Sequence, residues 1–181
     1  MRIAEVFEKL NKINDGNRTL IESIAIPEVG SALKDWSKHV DNGILIGGCA
    51  YSFYGRPRAT SDLDFLFLSD TEIPTSVPGF KKIRDHAFRH ISTHVEIEVL
   101  SSNFLNISQD LVSKVIDTSV TSNGVKVASP SGIVALKLQR LSYQDMSDIE
   151  NLHKLGNVDL SGWPLSDLDF ENYNKIINKT I

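Results

Sequence analysis

The chain has 181 residues, 41% hydrophobic and 23% charged, with 19 basic against 23 acidic side chains and a net charge of −4. That length and balance fit one sizeable core and exclude a fibrous or disordered chain; the acidic charge removes any global attraction to nucleic acid, though not a local basic patch. The lone Cys49 rules out an internal disulfide, and the absence of a secretory h-region or long apolar run predicts a cytoplasmic protein without membrane contact.

In chain order, Ile3, Ala4, Val6, Phe7, Leu10 and Ile13 recur at helical spacing, and Asp15-Gly16-Asn17 closes this first amphipathic helix. Residues 19 to 26 show no decisive period. Glu28 to Val40 predicts a helix with Leu33 and Trp36 on one side, followed by a turn at Asp41-Asn42-Gly43. A short apolar strand, Ile44 to Ile46, feeds Gly47-Gly48. Ala50 to Tyr54 then predicts a short helix, ended by Gly55 and barred from continuing by Pro57, before a strand that begins near Asp62.

Asp62 and Asp64 are separated by one apolar residue in SDLDFLFL, so both carboxylates leave the same face of that strand, with Cα atoms roughly 6 to 7 Å apart at about 3.3 Å of rise per residue. Carboxylates at this spacing converge on hard divalent cations, and Mg²⁺ is held by one or two carboxylates plus substrate phosphate oxygens. Gly47 and Gly48 have no Cβ, so the backbone can turn tightly and present N–H groups to a phosphate. Arg58, just upstream of the acids, is placed to fork onto phosphate oxygens, and Thr60 shapes the start of the strand.

Further on, TEIPTSVPG predicts a loop, and Phe80 to Arg89 is a basic segment compatible with strand or short helix. Thr93 to Leu100 alternates, with Val95, Ile97 and Val99 on one face and Glu96 and Glu98 on the other; this is the signature of a strand, and the natural source of a third metal carboxylate. Either Glu fits, and both also fit the wet face of an ordinary strand. Gly124 to Ala128 predicts a short strand, and Ser129-Pro130 a helix start, cap and first-turn proline together, running to about Leu141. The five histidines show no metal-ligand spacing, and Cys49 suits a small packing residue.

Gly47-Gly48, a thirteen-residue interval and Asp62-Leu63-Asp64 resemble the signature of the DNA polymerase beta-like nucleotidyltransferase superfamily. The fuller string GGCAYSFYGRPRATSDLDF is similar to its small bacterial and phage-borne branch, minimal nucleotidyltransferases and abortive-infection toxins. SPSGIVALKLQRLSYQDMSDIENL resembles the family's second block, with Lys137, Arg140, Asp145 and Asp148 at matching places.

The resemblance implies an α/β (α+β) fold, a short mixed sheet flanked by helices, in one nucleotidyltransferase-like domain over residues 1–181, with N-terminal helices in 1–42 and a helical extension in 156–181. It also implies metal-dependent transfer of an NMP from an NTP to an acceptor hydroxyl. Asp62, Asp64 and Glu98 would hold Mg²⁺ or Mn²⁺, with Glu98 replacing the family's usual aspartate. Gly47, Gly48, Arg58, Thr60 and Lys137 would hold the nucleotide, with Lys137 on the triphosphate. Asp145 and Asp148 would be orienting acids preceding the last core helix. The acceptor implied is an RNA end such as tRNA, a protein or a small molecule, and a cognate toxin or antitoxin is an implied partner. The alternative is a catalytically weak nucleotide-binding or antitoxin-like interaction module of the same fold.

Overall fold

The computed structural model describes residues 19–55 and 57–178; the helix expected over residues 3–13 lies outside them. The described elements are α1 (Leu20–Ser23), α2 (Pro27–Trp36), β1 (Ile44–Ile46), α3 (Gly47–Tyr54), β2 (Asp62–Phe67), a 3-10 turn (Asp70–Glu72), β3 (Phe80–Arg84), β4 (Ala87–His90), β5 (Glu96–Ser101), α4 (Ser102–Leu105), α5 (Gln109–Asp117), β6 (Val120–Ser122), β7 (Val125–Val127), α6 (Pro130–Leu138), α7 (Tyr143–Lys154) and α8 (Asp167–Ile177). The fold is mixed α/β. Its seven strands form one sheet in the order β3-β4-β5-β2-β1-β7-β6, with β2/β5 and β1/β7 parallel and the other pairs antiparallel.

Strand alternation divides the sheet into two faces. On one, Leu63, Phe65, Phe67, Ile97, Val99 and Phe88 are buried. Trp36 of α2 packs there, with ring centroids 5.6 Å from Phe65, 5.2 Å from Phe80 and 5.4 Å from Phe88. Such aromatic packing contributes beyond the area it buries. The other face carries the acids of β2 and β5, paired Asp62↔Glu96 and Asp64↔Glu98. A one-residue slip would drive those acids into the Trp36 layer, so the burial pattern fixes the register.

Two elements differ from expectation in instructive ways, and the basic segment takes the strand alternative. The helix after β1 starts at Gly47 rather than Ala50, because Gly47 itself takes the left-handed backbone (φ +65°) that lets the strand turn directly into it. The basic segment forms a hairpin, β3 and β4. Asp145 and Asp148 lie inside α7 rather than ahead of it: Ser142 is the cap, its Oγ accepting from the Asp145 N–H at 3.1 Å while the Asp145 carboxylate accepts from the Ser142 N–H, also at 3.1 Å. α6 follows its sequence signal, with Ser129 Oγ accepting from the Gly132 N–H at 3.1 Å and Pro130 in the first turn. Among the described residues no helix is long and apolar enough to cross a membrane.

Candidate active site

The β1–α3 bend and the carboxylates of β2 meet directly. Ile46 pairs with Asp64 across β1 and β2, which sets Asp64 beside the residue that follows β1 and opens α3, Gly47. A Cβ on Gly47 would run into the Asp64 carboxylate, whose Cγ lies 2.8 Å from that position. Any side chain at 47 would displace the acid. The first N–H groups of α3 have no intrahelical acceptor, so this corner pairs a carboxylate with a helix end suited to an anion.

Gly48 is crowded by a different pair. A Cβ there would fall 2.8 Å from Arg58 Nη2 and 2.9 Å from Thr60 Oγ1. Thr60 Oγ1 donates to Asp62 Oδ1 at 2.9 Å, which fixes the first carboxylate. Arg58 Nη1 donates to Asp148 Oδ2 at 3.0 Å, and its guanidinium lies 5.4 Å from the Tyr51 ring centroid. Gly47, Gly48, Arg58, Thr60, Asp62 and Asp64 therefore occupy one corner.

Glu98 completes the acidic cluster from β5. Burial pushes the Asp64 carboxyl up to about 7, and the neighbouring Asp62 and Glu98 charges add to the rise, against the opposing pull of Arg140 and Lys137. Glu96 has another occupation: Arg89 Nη2 at 2.6 Å and Arg84 Nη2 at 2.9 Å hold its two oxygens, and the Arg89 hydrogen bond lowers its carboxyl below the usual range. Glu98 makes no hydrogen bond or ion pair among the described residues. Of the two glutamates, Glu98 is the one with both lone-pair sites free beside Asp64.

Lys137 stands beneath this corner rather than in the open. It is 7% exposed, and its Nζ donates to Asp145 Oδ1 at 2.8 Å and reaches Asp148 Oδ2 at 2.7 Å. The same two acids hold the guanidinium groups: Asp148 binds Arg58, and Asp145 accepts from Arg140 Nε at 2.9 Å and Nη2 at 3.0 Å. Burial alone would raise the Asp145 carboxyl, but hydrogen bonds from Arg140, Lys137 and Ser142 hold it well below the ordinary range. Arg140 is the exposed cation here, its side chain 75% accessible. Asp145 and Asp148 thus hold Lys137, Arg140 and Arg58 in place. Sequence reasoning missed that Lys137 joins them from below; the Ser-x-x-Asp cap at Ser142 was the available signal for Asp145.

Cys49 fits packing and not nucleophilic chemistry. It is buried, its thiol donates to the Asp62 carbonyl at 3.6 Å, and burial together with the Asp64 and Asp62 charges raises it far above the normal thiol range. A separate hollow of about 410 Å³ lies at the end of α2, lined by Asp35, Lys38, His90 and Ile91 among others, and shares no residue with the acidic corner.

Among the described residues no three His, Cys, Asp or Glu side chains form a ready-made metal cage. The donor set nonetheless suits a hard divalent cation: three carboxylates from adjacent strands share one face, one of them pushed up by burial and by the charges of the other two, and Mg²⁺ takes its remaining ligands from water and substrate phosphates. No protein-family model matches the chain, and no curated protein matches it either.

Proposed function

We propose that this protein is a metal-dependent nucleotidyltransferase, moving an NMP from an NTP to an acceptor hydroxyl. The observation that carries the reading is the contact of the Asp64 carboxylate with the Gly47 bend, with Glu98 beside it in register. The helix N-terminus at Gly47 and Gly48, with Arg58 against Gly48, supplies donors and positive charge for a triphosphate. Arg140 adds an exposed guanidinium to the half-buried one of Arg58; Lys137 contributes its charge from below, through Asp145 and Asp148.

Asp62, Asp64 and Glu98 would hold Mg²⁺ or Mn²⁺, which supplies neutralisation of phosphate charge and acidification of the acceptor hydroxyl. In the transfer the acceptor oxygen bonds to the α-phosphorus as the bond to the bridging oxygen of the β-phosphate breaks, releasing pyrophosphate. Glu98, with no competing partner, takes the hydroxyl proton. The reaction belongs where NTP and Mg²⁺ are plentiful, the cytoplasm, and a cognate toxin or antitoxin partner fits the same reading.

A second reading, a nucleotide-binding or antitoxin-like module with little turnover, draws on one observation: Lys137 is sequestered by two aspartates instead of facing the triphosphate. Incubation with each labelled NTP, Mg²⁺ or Mn²⁺ and a cell lysate separates the two. The transferase labels a macromolecule or small acceptor and Glu98→Gln loses the label; NTP binding with no label under any condition supports the module.

A further inference from the structure

We infer that the acceptor is a polynucleotide whose phosphodiester backbone lies along the basic hairpin β3–β4. The inference rests on the transferase reading for the acidic corner, but its own support comes from different residues. Two rungs of the sheet cross from base to acid on one face. The first runs Lys81–Arg89–Glu96–Asp62 and the second Arg84–Ala87–Glu98–Asp64. At about 4.8 Å between strands, Lys81 stands roughly 14 Å from Asp62 along the first rung. The second rung has Ala87, a small buried residue, between Arg84 and Glu98.

The cations are accessible. Arg84 and Arg89 are 61% and 46% exposed, and Lys81 is exposed as well. Glu96 bridges both guanidinium groups and so orders them while neutralising one charge; with Asp85 in the hairpin turn counted as well, three cations stand against two carboxylates, an excess of one. In a chain of net charge −4 this is a local reversal of sign. Charged residues on an edge strand also guard against edge pairing, and Lys81 and Arg84 on β3 could do only that. Arg89 sits on β4, an interior strand with no edge to guard, and it shares the single carboxylate of Glu96 with Arg84, so the pair keeps one positive charge unneutralised on the acid-bearing face.

Sheet order gives the arrangement its direction. From one side to the other run β3, β4, β5, β2 and β1, which carry the hairpin cations, then the acids, then the Gly47 bend. A triphosphate at the bend and a phosphodiester strand on the hairpin approach the acids from opposite sides, as an in-line displacement at phosphorus requires. Paired guanidinium forks suit phosphate oxygens and carry no base information, so binding is expected to be independent of sequence.

The test is fluorescence anisotropy with a labelled single-stranded RNA and the DNA of the same sequence, from 50 to 200 mM salt, with NTP affinity measured on the same samples. Lys81→Ala and Arg89→Ala should each weaken oligonucleotide binding several-fold and lower the salt slope by roughly 0.7, leaving NTP affinity unchanged. Lys82→Ala removes the same charge from the same strand but on the opposite face, where Lys82 pairs with Phe88, and should change neither. Tighter binding of one oligonucleotide assigns the acceptor as RNA or DNA. Absence of binding to both at 50 mM, or equal losses from Lys81→Ala and Lys82→Ala, overturns the inference while NTP binding keeps the transferase reading intact. Oligonucleotide binding with no NTP affinity removes the transferase reading instead, and with it the acceptor role.

Discussion

The carboxylate of Asp64 occupies the space that a side chain on Gly47 would need, and Gly47 holds a left-handed backbone at φ +65°. Two independent constraints thus demand glycine here. Gly47→Ala should cost about 1–3 kcal/mol from backbone strain alone and also dislodge Asp64. Denaturant titration reads the first effect and metal-dependent NTP turnover the second; a variant with wild-type turnover would detach the bend from the chemistry.

Gly48 is held by side chains and not by its own backbone. Gly48→Val should push Arg58 and Thr60 off their places and lose NTP binding, measured by calorimetry, with a smaller loss of stability than Gly47→Ala because long Arg58 can swing away. Normal NTP affinity in this variant would contradict the phosphate role of the corner.

The two glutamates of β5 should separate cleanly. Glu98→Gln is expected to lower turnover at least about 100-fold with an unchanged denaturation midpoint, in the range of a lost proton acceptor. Glu96→Gln should leave most turnover, because its carboxylate is spent on Arg84 and Arg89. The opposite ranking in a steady-state assay would transfer the role to Glu96.

Asp64 makes the metal-free protein sensitive to pH. Its folded carboxyl lies near about 7 against an unfolded value near 3.8, so the folded state holds the proton more tightly and stability falls as pH rises between those values. Asp64→Asn should therefore raise Tm in chelator by a few degrees above pH 7, with no gain near pH 4, while abolishing turnover. Thermal melts at the two pH values check this; equal shifts at both would remove the charge as the cause.

Lys137 neutralises two nearly inaccessible aspartates. Lys137→Met leaves Asp145 and Asp148 with arginines as their charged partners and with the neutral donors Ser142 and Gln144, and should cost about 3–5 kcal/mol, as loss of one member of a buried ionic group does. A shift in denaturation midpoint below about 1 kcal/mol would show that Lys137 is kept for contact with substrate.

What the sequence revealed follows from the range of the forces involved. Strand β1 was legible as a short apolar run and the acids of β2 and the alternating β5 from a period of two, both local properties, and the Ser129-Pro130 start marked α6 for the same reason. Helices α4 and α5 carried no expectation, although Ser101 and Ser108 accept from Phe104 and Leu111 N–H groups as caps and were the signals to use. The family resemblance sets Lys137 on a triphosphate; its burial depends on α7 folding back to bring in Asp145 and Asp148. The clamp of Arg84 and Arg89 on Glu96 depends on the register of three strands. Neither is encoded within any short window.

The ion pair from Arg58 to Asp148 joins positions ninety apart in the chain and carries a temporal consequence. The glycine corner and the first two acids are synthesised early, yet their guanidinium is anchored only when α7 arrives. The corner therefore takes its final form only after α7 has been made and has docked, which makes its completion a late, long-range event in folding.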